Sequence, residues 1–191
     1  MEQELVVASN NAGKLKEIAE LIQQVKLFTL KDIGFTAEIP EPYHTFRENA
    51  YAKAITIYDF CHKNVFAEDS GICVRALQDA PGVDSAHYSG SRNDAANLQK
   101  VLTEMQHTNF RYAYYKAVIC LIWEGETHYF EGICEGVITK APRGEHGFGY
   151  DPIFVPDGHT LTFAELPAEV KNSISHRSKA VQKMIAFINK H

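Results

Sequence analysis

The stretch LVVASNNAGKLKEIAELI, residues 5–22, sets the fold class. Leu5 to Ala8 is a short apolar run, SNNAGK breaks it with small polar residues, and Leu15, Ile18, Ala19 and Ile22 then recur along one helix face. This reads as strand, tight turn and helix. Working outward, Thr45 and Glu48 have capping-box spacing, so a second helix is expected from Phe46 to about His62, with Asn49 and Lys53 on a shared face. Val65 to Ala67 reads as a buried strand that stops at Glu68-Asp69-Ser70-Gly71, where carboxylates and a glycine replace the apolar pattern. Leu98, Val101, Leu102 and Met105 define a third helix, capped by Ser91 or Asn93. Phe110 to Trp123, apolar on both faces, predicts a central strand that turns at residues 124–126 into a partner, Thr127 to Ile138, with bends or bulges at Gly132 and Gly136. Ser175 suits an N-cap for a last helix with apolar positions Ala180, Val181, Met184, Ile185 and Ile188. Strands and helices alternate around a long hairpin, which predicts an α/β protein with a mixed sheet and flanking helices.

Composition bounds the function. With 191 residues and a 45% apolar fraction, the chain fits one domain with a full core, residues 1–191, or a domain with a small lobe. A net charge of −5 argues against a nucleic-acid partner, because counterion release needs a broad basic surface. The alternating Phe110, Tyr112 and Tyr114 are accordingly read as strand packing and not as a base-stacking platform. Cys61, Cys73, Cys120 and Cys134 show no C-x-x-C spacing, so buried reduced thiols are expected. No signal peptide is evident, and no apolar segment approaches the roughly 20 residues of a membrane span. A cytoplasmic protein with no membrane partner is the expectation.

Three regions carry chemistry. SNNAGK, between strand and helix, is either a phosphate loop, with Gly13 exposing backbone N–H groups and Lys14 supplying charge, or an Asn-capped helix with an exposed lysine. Lys53, beside Asn49, is a second candidate phosphate contact. Asp69, at the end of a buried strand, is suited to hold Mg²⁺, with Glu41 as a second acidic ligand. A metal-bound water is acidified and a neighbouring carboxylate can take its proton. Adjacent strand residues point to opposite faces, so Glu68 and Asp69 take different roles unless the strand has ended. In the run from Gly147 to Arg177, Gly147 and Gly149 flank Phe148 and let backbone approach a ligand beside an aromatic face. His176 and Arg177 fall in a first helical turn, a donor-rich spot for an anion or a carbonyl oxygen.

Together, ASNNAGK (8–14), FRENAYAKA (46–54), AEDSGICVRAL (67–77), PGVDSAHYSG (81–90), GFGYDPIF (147–154) and KNSISHR (171–177) resemble the Ham1 family of inosine/xanthosine triphosphate pyrophosphatases, in order and over nearly the whole chain. The resemblance implies an elongated α/β fold with two lobes around a central active-site cleft, a homodimer, and Mg²⁺-dependent cleavage of ITP, dITP and XTP to monophosphate and pyrophosphate. It further implies that Ser9, Asn10, Asn11, Ala12, Gly13 and Lys14 wrap the phosphates and Lys53 adds charge. Asp69 would be general base and metal ligand, with Ser70 beside it and Glu41 a further metal ligand. Phe148, Gly149, Tyr150 and Asp151 would line the base and sugar pocket, and Lys171, His176 and Arg177 would contact the base. The chain departs from the family pattern at Glu68, where aspartate is usual, at His87, commonly arginine, and at Val170, frequently glutamate. A Maf-like pyrophosphatase and a non-enzymatic nucleotide sensor are the rival readings. The ISHR and GFGYDP blocks argue against the first, and intact Asp69, Glu41 and Lys14 against the second.

Overall fold

The computed structural model describes residues 3–191. Its elements are β1 (Glu4–Val7), α1 (Ala12–Leu21), β2 (Lys26–Phe28), α2 (Phe46–Cys61), β3 (Val65–Val74), α3 (Asp94–Glu104), β4 (Tyr112–Trp123), β5 (Glu126–Ile138), β6 (Phe154–Pro156), α4 (Ala168–Ile174) and α5 (His176–Ile188). The six strands form one sheet in the order β2-β1-β3-β4-β5-β6. β1 runs parallel to β2 and β3, whereas β5 and β6 are antiparallel, so the sheet is mixed as the alternation of elements predicts. The β4–β5 turn is Glu124–Gly125, both at positive φ (51° and 85°), the backbone that a tight two-residue hairpin demands.

The helix starts are set locally. Asn11 Oδ1 accepts from the Lys14 amide, Thr45 Oγ1 from Glu48 and Asn93 Oδ1 from Ala96, so α1, α2 and α3 each begin at a side-chain cap. The capping box of α2 closes as its spacing predicts, and His62 ends the helix in the left-handed region. α4, which no sequence period announces, is seven residues long and places Lys171 on its buried side.

The chain forms two compact units. The first comprises the described residues up to Asp69, together with Ala117–Gly132 and Arg177–His191; the second comprises Ser70–Lys116 and Ile133–His176. In the first unit the strand alternation is buried on both faces. Leu5, Val7, Phe66, Ile119 and Leu121 pack with α1 and α5 residues such as Ile18 and Met184, while Val6, Ala8, Val65, Ala67, Cys120 and Ile122 pack with Ala50, Ala54 and Ile57 of α2. The second unit has its own core, built on Ile72, Val74, Leu98, Val101, Tyr115, Ile153, Phe154 and Phe163.

Three expectations are corrected. β3 does not stop at Glu68 but runs on to Val74, so both acids lie within a strand and Glu68 is buried, not part of a solvated turn. Gly71, which reads as a breaker, is there for close approach: a side chain at this position would overlap the Gly82 carbonyl and the Ser85 hydroxyl, and Ser85 Oγ accepts from the Ile72 amide at 3.0 Å. Gly136 likewise makes room for the Val155 carbonyl of β6. Phe110 precedes β4 and is 58% exposed, so it contributes no strand packing. Cys73, Cys120 and Cys134 are buried free thiols, and Cys61 is half-buried.

Candidate active site

In the first unit, the pleat of β3 sorts its two acids. Phe66 packs with α1 and α5, and Val65 and Ala67 with α2, so the two-residue period sends Glu68 towards α1 and α5 and Asp69 towards α2. Glu68 Oε2 and Oε1 accept from Arg177 Nε and Nη2 at 2.7 and 2.9 Å, a two-pronged pair that is 3% exposed on the glutamate and 2% on the arginine. Glu17 of α1 holds Arg177 Nη1, and Lys14 Nζ lies 3.7 Å from Glu68 Oε1. Burial works against the Arg177 charge, but Glu68 and then Glu17 outweigh it and keep the guanidinium above its ordinary range. Lys14 goes the other way: burial lowers its pKa more than Glu68 raises it.

On the α2 side, Lys53 Nζ donates to Glu41 and lies 3.6 Å from Asp69 Oδ1. Burial pushes the Asp69 carboxyl above its usual range, Lys53 and Lys14 pull it down, and Glu41 pushes it up, with a net upward shift. Asn49 explains how Glu41 comes to be there. Its amide donates to the Tyr43 carbonyl at 3.0 Å and accepts from the Tyr43 N–H at 2.9 Å, pinning the strand-free segment that carries Glu41 against α2. Of the SNNAGK residues, Ser9 and Asn10 precede the helix, Asn11 caps it, and Ala12, Gly13 and Lys14 form its first turn. The helix is Asn-capped, as one of the two sequence readings has it, but Lys14 is not the exposed lysine of that reading: its side chain is 15% exposed and faces the Glu68 carboxylate.

In the second unit, Asp151 organises the aromatic segment. Its Oδ2 accepts from Lys171 Nζ at 2.6 Å and from the Phe148 amide at 3.0 Å, and Tyr115 Oη donates to its Oδ1 at 3.3 Å. Gly147, at φ 77°, has no room for a side chain because the Asp151 carboxylate occupies the space. The Gly149 amide donates to Asp94 Oδ2 at 2.8 Å. Tyr150 is buried, with its hydroxyl donating to the Ser85 carbonyl at 2.7 Å. Lys171 Nζ stands 5.2 Å from the Phe148 ring centroid and 5.4 Å from that of Phe163. His176 is buried and stacks on Tyr115 with ring centroids 4.6 Å apart and planes 8° from parallel. Ser70, half-buried, follows Asp69 along β3 and opens this unit's share of the strand.

The Ham1 family's sequence pattern matches residues 5–187 of this chain. The chain belongs to the Ham1 family. It is 44% identical to the dITP/XTP pyrophosphatase of Flavobacterium psychrophilum, covering 96% of this chain and 98% of that protein, and 46% identical to that of Shouchella clausii, covering 93% and 92%. Among solved structures, a HAM1 protein from Coxiella burnetii superposes with a TM-score of 0.90 at 36% identity, covering 99% of this chain and all of that one.

The predicted site residues of this Ham1-family chain thus form two clusters. Lys14, Glu41, Lys53, Asp69 and Arg177 belong to the first unit, and Phe148, Gly149, Tyr150, Asp151, Lys171 and His176 to the second. His176 and Arg177, consecutive in sequence, fall to different units and different partners. Two participants, half-buried Glu17 and buried Tyr115, are not singled out by the sequence. Glu17 is three residues from Lys14 in α1 and therefore shares its face, a readable signal. Tyr115 carried none. For Mg²⁺, among the described residues no three carboxylate, imidazole or thiol groups converge into a protein-only cage, but Glu41 and Asp69 gather around one positive charge. That suits an ion usually held by one or two carboxylates, with water and substrate phosphate completing its shell. No helix of the described residues is long and apolar enough to cross a membrane.

Proposed function

We propose that this protein hydrolyses noncanonical purine nucleoside triphosphates, dITP, XTP and ITP, to the monophosphate and pyrophosphate. The observation that carries the reading is Asp69: a nearly buried carboxylate with a raised pKa, 3.6 Å from Lys53 and in the field of Lys14, in a chain whose relatives are named dITP/XTP pyrophosphatases. Asp69 would take a proton from the water that attacks the α-phosphorus; the new P–O bond forms as the bond to the β-phosphate oxygen breaks and pyrophosphate leaves. Because the ionised carboxylate is the base, activity falls as pH drops through its raised pKa. Ser9 to Lys14 would receive the phosphates, and Lys14 and Lys53 would offset charge on the transferring and leaving oxygens. Mg²⁺ held by Glu41, Asp69 and substrate phosphate would supply further positive charge and acidify a bound water.

The base and sugar would be met by Phe148 to Asp151, with Ser70 contributing next to Asp69. Lys171, His176 and Arg177 would direct donors at the 6-keto oxygen of hypoxanthine or xanthine. Adenine presents an amino group there, and each buried donor left unpaired costs about 1–3 kcal/mol. Guanine shares the 6-keto group, so its exclusion must come from the 2-amino position. A cytoplasmic homodimer accompanies this reading through the family resemblance. The test is incubation with Mg²⁺ and dITP, XTP, dGTP, dTTP or ATP, with identification of the released phosphate. Pyrophosphate from dITP and XTP in preference to the others is expected; orthophosphate would exclude attack at the α-phosphorus.

A further inference from the structure

Asp151 and His176 stand far apart in sequence, yet one side chain of β4 touches both. Tyr115, 7% exposed, stacks its ring against the His176 imidazole and donates its hydroxyl to Asp151 Oδ1. Asp151 in turn fixes the Lys171 ammonium and, through the Phe148 amide, the backbone of the aromatic segment. The Tyr115 ring is itself held edge-on by Phe154, with centroids 4.8 Å apart, and near-parallel to Phe163 at 5.9 Å. Its orientation is therefore set by the core and not by a ligand.

We propose that Tyr115 is a positioning residue for base recognition: its ring seats His176 and its hydroxyl seats Asp151, and hence Lys171, so that both donors of the second unit are aligned by one side chain. The inference rests on the proposed activity and assigns a role to a residue that does not itself touch the base. Its chemistry is separable. Phenylalanine at 115 keeps the stack with His176 and removes only the hydroxyl donor. Leucine removes both while remaining a core residue.

The experiment is steady-state hydrolysis of dITP and dATP by the full-length wild type, Tyr115→Phe and Tyr115→Leu, with circular dichroism to establish folding. For Tyr115→Phe, the KM for dITP should rise by about three- to tenfold as Lys171 and Phe148 lose a fixed Asp151, with kcat within about twofold of wild type. The preference for dITP over dATP should largely survive, since His176 keeps its stacking partner. For Tyr115→Leu, that preference, as a ratio of kcat/KM, should fall by about tenfold. A Tyr115→Phe enzyme with unchanged KM, or a folded Tyr115→Leu enzyme with an unchanged ratio, overturns the proposal. If Tyr115→Leu does not fold, Tyr115→Phe decides alone. Wild type that hydrolyses neither dITP nor XTP overturns the proposed activity and this inference together, whereas active wild type with unaffected variants overturns this inference only.

Discussion

In the first unit, Lys14, Lys53 and Arg177 share the carboxylates of Glu17, Glu41, Glu68 and Asp69, whereas in the second the buried ion pair of Lys171 with Asp151 is set among the rings of Tyr115, Phe148, Phe163 and His176. The two designs suit different ligand chemistry. Where cations are cross-paired with several carboxylates, an incoming polyanion can exchange with one partner while the others keep each lysine in place, which suits a triphosphate tail. An ion pair inside an aromatic cage offers fixed donors beside flat apolar faces, which suits a heterocycle read by its hydrogen-bonding edge.

The comparison breaks first at Asp69. Asp69→Asn should reduce pyrophosphate release by about a thousandfold, while calorimetric titration with a non-hydrolysable ITP analogue shows binding retained; near-normal turnover would remove the first unit from the chemistry. Next comes Arg177→Ala, which leaves Glu68 buried without its two-pronged partner and should cost about 3–5 kcal/mol in urea unfolding. If Arg177 also addresses the base, the same variant compresses the ITP-to-ATP ratio of kcat/KM; an unchanged ratio confines recognition to the second unit. Gly147→Ala is smaller, about 1–3 kcal/mol, because it places a side chain at positive φ against the Asp151 carboxylate. Its expected signature is a raised KM with kcat preserved. Smallest is Thr45→Ala, about 1 kcal/mol for the lost cap of α2. It should lower the melting temperature and leave substrate preference untouched, sharpening the distinction between a helix end and a base site.

Much of this architecture is legible in short windows of sequence. The strand and helix of residues 4–21, the capping box at Thr45, the Asn93 cap and the Glu124–Gly125 hairpin all follow from interactions spanning a few residues. The course of β3 is not, because a glycine that ends a strand and a glycine that admits a neighbouring backbone look identical until Gly82 is seen crossing Gly71. Nor is α4, whose seven residues span too few turns for an apolar period to declare itself. At the site, the sequence singles out Asp69, Glu41, Lys14 and Lys53 by residue type and place. Asn49 reads there only as a neighbour of Lys53 on one helix face, while the structure shows its amide clamping the Tyr43 backbone.

The amino-acid sequence alone settles the fold class, the local elements, the family and the set of chemically capable side chains, since each depends on patterns within a window or on motifs in order. Which of those side chains meet is a tertiary decision. Glu68 and Arg177 are 109 residues apart, Asp151 and Tyr115 are 36 apart, and the consecutive pairs Glu68 with Asp69 and His176 with Arg177 part company entirely. The reason is geometric: a strand turns successive side chains to opposite faces, and a buried charge settles on whichever opposite charge the packed helices bring within reach.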